Sequence, residues 1–106
     1  PGLPSHKGHD FVKEQMSGFG GMMSFVLKGG YEKVKVFLPK LELAFRAAHL
    51  GSVSTLAGPP RTTSHVELTE EQRAKLGIPE SLIRYSVGIE NAEDLIADLK
   101  QGLDAI

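Results

Sequence analysis

Apolar positions recur along this chain in two rhythms, one helical and one extended. After an opening loop rich in proline and glycine, "PGLPSHKG", the stretch "HDFVKEQM" places Phe11, Val12, Gln15 and Met16 on one helical face. The glycine cluster "SGFGG" ends that helix. "MMSFVLK" (22–28) is short, apolar and bounded by glycines, which predicts a strand. "GGYEKVKVFLPKLEL" then puts Tyr31, Val34, Leu38 and Leu41 at helical spacing. Pro39 lies inside that run, removes a backbone donor and crowds the carbonyl of Lys35, so the helix is expected to kink or tighten there.

The next signals are weaker. "LAFRAAHLGS" (43–52) reads as a short strand running into a loop, and "VSTLAG" (53–58) as a strand or turn. "PPRTTSHVEL" is expected to be extended, because Pro–Pro opposes a helix. "TEEQRAKLGIP" is a short helix with its own punctuation: Thr69 as N-cap, Gln72 completing a capping box, Gly77 as terminator and Pro79 after it. "LIRYSVG" predicts a last strand. In "NAEDLIADLKQGLDAI", Asn91 caps a helix whose Ala92, Leu95, Ile96, Leu99, Leu103 and Ile106 form an apolar stripe.

The element order is helix, strand, helix, strand, loop, helix, strand, helix. It predicts an α+β (α/β-like) fold: a small, mostly antiparallel sheet with helices packed on one face. The other face would be open, toward a partner or a second domain. At 106 residues the chain is expected to form one domain with a real core. Its apolar content of 41% is that of a globular protein. A net charge of −1 gives no field that would point to nucleic acid or an anionic membrane surface. With no cysteine there can be no disulfide, thiolate catalysis or cysteine-based metal site, and the composition fits a reducing, cytoplasmic setting. The chain opens "PGLPSH" without methionine, which reads as processing or as a piece of something longer.

Catalytic constellations are sparse. His6 and His9 are three apart, but a metal site needs a third ligand, and a solvated helix start explains them as well. His49 and His65 fall in loops, where isolated histidines are most often surface or structural groups. "GFGGMM" and "LKGGY" match neither G-x-G-x-x-G before a helix nor a P-loop, and "GFGG" leads into a strand, so a tight connection explains them. No metal site and no self-sufficient catalytic residue set is expected from the spacing.

Arg84 stands out. It carries a full charge in the strand "LIRYSVG", flanked by Leu82, Ile83, Tyr85 and Val87. One reading is a charge on the solvent face of a half-exposed strand. The other is a guanidinium held by a rigid element to clamp a carboxylate at two points. Sequence pattern alone leaves both open.

The blocks "PGLPSHKGHDFVKEQMSGFGGMMSFVLKGG", "LGSVSTLAGPPRTTSH" and "LTEEQRAKLGIPESLIRYSVGIENAEDLIADLKQGLDAI" carry a resemblance that runs almost end to end. Together they resemble the C-terminal domain of the pyridoxal-phosphate enzymes of cysteine and methionine metabolism, the trans-sulfuration family of fold-type I. Its members include cystathionine γ-synthase, cystathionine γ-lyase and methionine γ-lyase.

The resemblance implies that residues 1–106 form a substrate domain. An upstream domain would bind pyridoxal 5'-phosphate through a Schiff-base lysine that this chain lacks, so the chain alone would be inactive. It implies β- or γ-elimination, or γ-replacement, on an amino-acid substrate, in a homotetramer built as a dimer of dimers. Arg84 matches the family's arginine in "L-[VI]-R-x-S-V-G", which binds the substrate α-carboxylate. Two further positions carry over as substrate-pocket residues. His49 replaces the serine of "S-L-G", and Ser64 stands at the threonine of "M-T-H", keeping a hydroxyl. Ala48 stands where cystathionine-handling members often have glutamate, which tilts the expectation toward a methionine γ-lyase-like carbon–sulfur lyase. The competing expectation is a non-catalytic α+β module that binds a small molecule or mediates assembly.

Overall fold

The computed structural model describes all residues from 1 to 106. Its elements are α1 (His9–Gln15), β1 (Met22–Val26), α2 (Tyr31–Phe37), β2 (Phe45–Arg46), β3 (Leu56–Gly58), α3 (Glu70–Lys75), β4 (Leu82–Ser86) and α4 (Ala92–Asp104). Short 3-10 turns follow α2 at Leu38–Lys40 and β3 at Pro60–Thr62. The four strands form one sheet in the order β1-β4-β3-β2. β4 pairs antiparallel with both β1 and β3, and only the β2–β3 pair is parallel. No helix is long and apolar enough to cross a membrane.

Period-two alternation gives the sheet its two faces. On one face Ile83 and Tyr85 of β4 meet Phe25 of β1 and Ala57 of β3 in register, and α2 and the turn after it cover them with Val34, Phe37 and Leu38. Phe37, Ile83 and Tyr85 are fully buried, and each apolar side chain of that kind stabilises the fold by about 2–3 kcal/mol relative to exposure. Phe25 packs edge-on to Phe37, with ring centroids 6.1 Å apart at 87°. α4 closes over α2 at Gly102, where an added Cβ would lie 3.0 Å from the Phe37 ring and 3.1 Å from Leu41. The carboxylate of buried Asp98 accepts the backbone N–H groups of Glu42, Leu43 and Ala44 at 2.7, 3.1 and 3.2 Å, which ties α4 to the segment entering β2.

The fold is the expected α+β sheet with helices on one face, and several local devices are those the sequence signals. Thr69 and Gln72 form the capping box of α3, and Gly77 ends that helix at φ 73°. Asn91 caps α4 through Glu93 and Asp94. At Pro39 the α2 path tightens into a 3-10 turn. The short strand expected within 43–52 is present as Phe45–Arg46, and the weaker 53–58 signal contains β3, an internal strand with all three residues buried. Three expectations fail, in whole or in part. α1 buries nothing, and Phe11 and Met16 are exposed, so its apolar face has no cover within the chain. Ile96 and Leu103 also face outward, whereas Leu95, Leu99 and Ile106 of the same stripe pack inward, with Asp98 and Gly102 buried beside them. Finally, 59–68 is not extended: Pro60 starts a 3-10 turn, because proline's fixed φ suits the first positions of a helical turn.

Candidate functional site

The sheet's second face is the open one. Met22, Ser24 and Val26 of β1 share it with Leu82, Arg84 and Ser86 of β4 and with Phe45, Leu56 and Gly58 by register. Met22, Val26 and Phe45 are exposed there. Arg84 pairs across the sheet with Ser24 on one side and Gly58 on the other. Both neighbours are small, so the long side chain has room to lie over the sheet. Its strand is internal, hydrogen-bonded along both edges, and the base of the guanidinium is therefore rigid. Arg84 makes none of the chain's ion pairs. Its one side-chain hydrogen bond is Nη2 donating to the His49 carbonyl at 3.4 Å.

Arg84 lines a groove of about 740 Å³, between the N-terminal segment (Leu3, His6, Phe19) and the 60–65 segment. Ser64 and His65 line the same groove. Their placement follows from local hydrogen bonding. After the Pro60–Thr62 turn, the Thr63 hydroxyl donates to the Pro59 carbonyl at 2.8 Å, and the His65 N–H donates to the Pro60 carbonyl at 2.9 Å. The Ser64 hydroxyl then lies 2.8 Å from His65 Nδ1. Of the three expected pocket residues, the structure thus brings Arg84 and Ser64 to one groove. His49 does not line it: its backbone carbonyl meets Arg84, while its exposed ring turns to the Leu50 N–H, 2.8 Å from Nδ1. His9 has a local role, stacked on Phe19 with centroids 5.4 Å apart and bonded to the Pro1 carbonyl at 2.7 Å.

Behind the groove lies a charge network that the sequence pattern does not announce. Arg73 of α3 is buried, donates to the His65 carbonyl at 3.4 Å and to the Leu68 carbonyl, and pairs with Glu80 at 2.8 Å. Glu80 also takes Arg61 at 2.6 Å, and the Arg61 guanidinium lies 4.0 Å over the Tyr31 ring of α2. The hydrogen bond from Arg73 holds the Glu80 carboxyl below the usual glutamate range, against burial, with both arginine charges helping. Away from the groove, the backbone N–H and hydroxyl of Thr55 hold the Glu90 carboxyl low by hydrogen bonding at 2.6 and 2.7 Å. The only sequence signal for Arg73 is a basic residue among apolar spacings in a short helix, which solvent exposure explains equally well.

The groove can therefore receive an organic acid. It offers the guanidinium of a half-buried arginine without a protein carboxylate, a hydroxyl on the same groove and an apolar rim of Leu3, Phe19, Met22 and Leu82. Solved relatives and sequence relatives give this geometry its context. A model of the Cys/Met metabolism PLP-dependent enzymes matches residues 1–104. The chain belongs to that family. It is 49% identical over 106 residues to an L-methionine gamma-lyase of Fusobacterium nucleatum subsp. polymorphum and 47% identical over 104 residues to a cystathionine gamma-lyase of Dictyostelium discoideum. It spans 27% of the length of each, and 100% and 98% of its own. A crystal structure of cystathionine gamma synthase from Xanthomonas oryzae pv. oryzae in complex with cystathionine superposes with a TM-score of 0.91 at 44% identity. That match covers 98% of this chain and 27% of the other. The relatives are lyases and synthases, which does not favour a non-catalytic module.

Pyridoxal phosphate is the cofactor of this family. The groove by itself does not fit it: no lysine lines the cavity to form a Schiff base. What its residues fit is a carboxylate.

Proposed function

We propose that residues 1–106 form the C-terminal substrate domain of a pyridoxal-phosphate enzyme of sulfur amino acid metabolism. The whole enzyme would break or exchange a carbon–sulfur or carbon–oxygen bond by β- or γ-elimination or γ-replacement. This chain's part is to hold the substrate. Arg84 binds the α-carboxylate, Ser64 hydrogen-bonds beside it, and the His49 carbonyl steers the guanidinium. A fixed acid group restrains the rest of the amino acid and so orients the bond to be broken. The observation that carries this reading is the guanidinium of a half-buried arginine on an internal strand, opening into a groove and free of any protein ion pair.

The exposed apolar groups of the open face, Met22, Val26 and Phe45, support an N-terminal cofactor domain as their cover, since such groups gain most from burial. A dimer-of-dimers tetramer and a cytoplasmic location belong to the same proposal. Ala48 leaves room for a small thioether, which favours a methionine γ-lyase-like activity. The test is turnover by the intact protein of methionine, cystathionine, cysteine and O-acyl-homoserines. Activity on at least one, fastest on methionine, is expected. Failure on all four contradicts the reading.

A further inference from the structure

We infer that Arg73 is a positioning residue, which sets the Ser64–His65 edge of the groove against Arg84 from behind. The inference rests on the substrate-groove reading above. Ser64 is exposed on a segment with no regular structure, and such a segment holds a hydroxyl in place only if its backbone is pinned. Here the pins converge on His65. Its N–H is taken by Pro60 at 2.9 Å, and its carbonyl accepts from the Leu68 N–H at 3.2 Å and from Arg73 Nη1 at 3.4 Å. The same Nη1 bonds the Leu68 carbonyl, so one planar guanidinium spans both ends of the turn that follows Ser64.

Arg73 is itself fixed. Nε and Nη2 donate to the two oxygens of Glu80 at 2.8 and 3.3 Å, a two-point pair. Arg61 holds the far side of Glu80 at 2.6 Å and stacks on Tyr31, which anchors the pair to α2 and the core. The chain of contact runs from core to Glu80, to Arg73, to the His65 carbonyl, and so to the Ser64 hydroxyl 2.8 Å from the His65 ring. A lysine at 73 has a single nitrogen, which cannot hold both oxygens of Glu80 and the two carbonyls as Nε, Nη2 and Nη1 do together. Arg73 does not itself line the groove; it meets the groove wall only from behind, at the His65 backbone.

The test is a mutant cycle in the intact holoenzyme with its best amino-acid substrate. Arg73→Lys and Ser64→Ala should each raise KM about threefold to tenfold with kcat within about twofold. In the double variant KM should rise no further than in the larger single one, because Arg73 acts through Ser64. Glu80→Gln, a milder release of Arg73, should show the same non-additivity with Ser64→Ala, and it decides the matter if Arg73→Lys fails to fold. Multiplying effects, or a lowered Tm with unchanged KM, overturns the inference. Arg84→Ala runs alongside. If it raises KM while Arg73→Lys does not, the inference alone fails; if Arg84→Ala leaves KM unchanged, the substrate-groove reading fails and takes the inference with it.

Discussion

The guanidinium of Arg84 reaches the backbone carbonyl of His49 at 3.4 Å, while the His49 ring points away to its own neighbour's N–H. The contact belongs to the loop's path and not to the side chain at 49. His49→Ala in the intact protein is therefore expected to leave KM within about twofold, since no side-chain hydrogen bond to Arg84 is lost. A rise of tenfold or more in steady-state assays would show that the ring enters the groove.

Tyr85 is fully buried, and its hydroxyl reaches no hydrogen-bond partner. Such a group is desolvated without return. Tyr85→Phe should leave stability unchanged or raise it by up to about 1 kcal/mol in urea unfolding. Burial, with the charges of Asp98 and Glu90, pushes the Tyr85 phenol from 10.0 up to about 12. A raised folded-state value means stability is intact below pH 10.0 and is lost as pH climbs toward about 12. The phenylalanine variant should lack that alkaline slope.

Asp98 works in the other direction. Burial raises its pKa, but the N–H groups of Glu42, Leu43 and Ala44 and the Gln101 amide outweigh burial and hold the carboxyl below the usual aspartate range. A lowered folded-state value gives stability that is present above the ordinary carboxylate range and is lost on acidification through the depressed value. Asp98→Asn should cost about 2–3 kcal/mol near neutral pH, and the gap to wild type should narrow in acid.

Gly102 lies within α4, where alanine normally stabilises a helix by about 1 kcal/mol. Here the added methyl would meet the fully buried Phe37 ring at 3.0 Å. Phe37 is fully buried, so a shift of its ring disturbs the core around it. Gly102→Ala is expected to destabilise by about 1–2 kcal/mol in thermal unfolding, reversing the propensity effect.

Short-range devices were the legible part of this sequence. The Thr69–Gln72 box, the Asn91 cap and the Pro39 tightening each act within a few residues, so spacing reveals them. β4 was legible as a strand, and Arg84 as its anomaly. Long-range partners were not. Asp98 looks like a solvent-facing residue of an amphipathic helix until Glu42, Leu43 and Ala44, over fifty positions away, donate to it. Arg73 is buried only because Glu80 and two carbonyls meet it. The stripe on α4 was right for Leu95, Leu99 and Ile106 and misled at Ile96 and Leu103, because hydrophobicity marks what can be buried, while Gly102 and Asp98 set which side approaches the core. At the groove, residue type marked Arg84 and Ser64, but their meeting depends on the fold of 59–65, which proline content alone suggested was extended.

The central claim is that the Arg84 guanidinium binds a substrate's α-carboxylate. The most direct measurement compares wild type and Arg84→Ala in the intact holoenzyme, using the preferred amino acid and the same compound with its α-carboxylate converted to an amide. The account predicts that kcat/KM for the free acid falls about 30- to 100-fold on substitution, the worth of a charge-assisted pair, while that for the amide barely changes. Equal losses for acid and amide, or no loss for either, would contradict it.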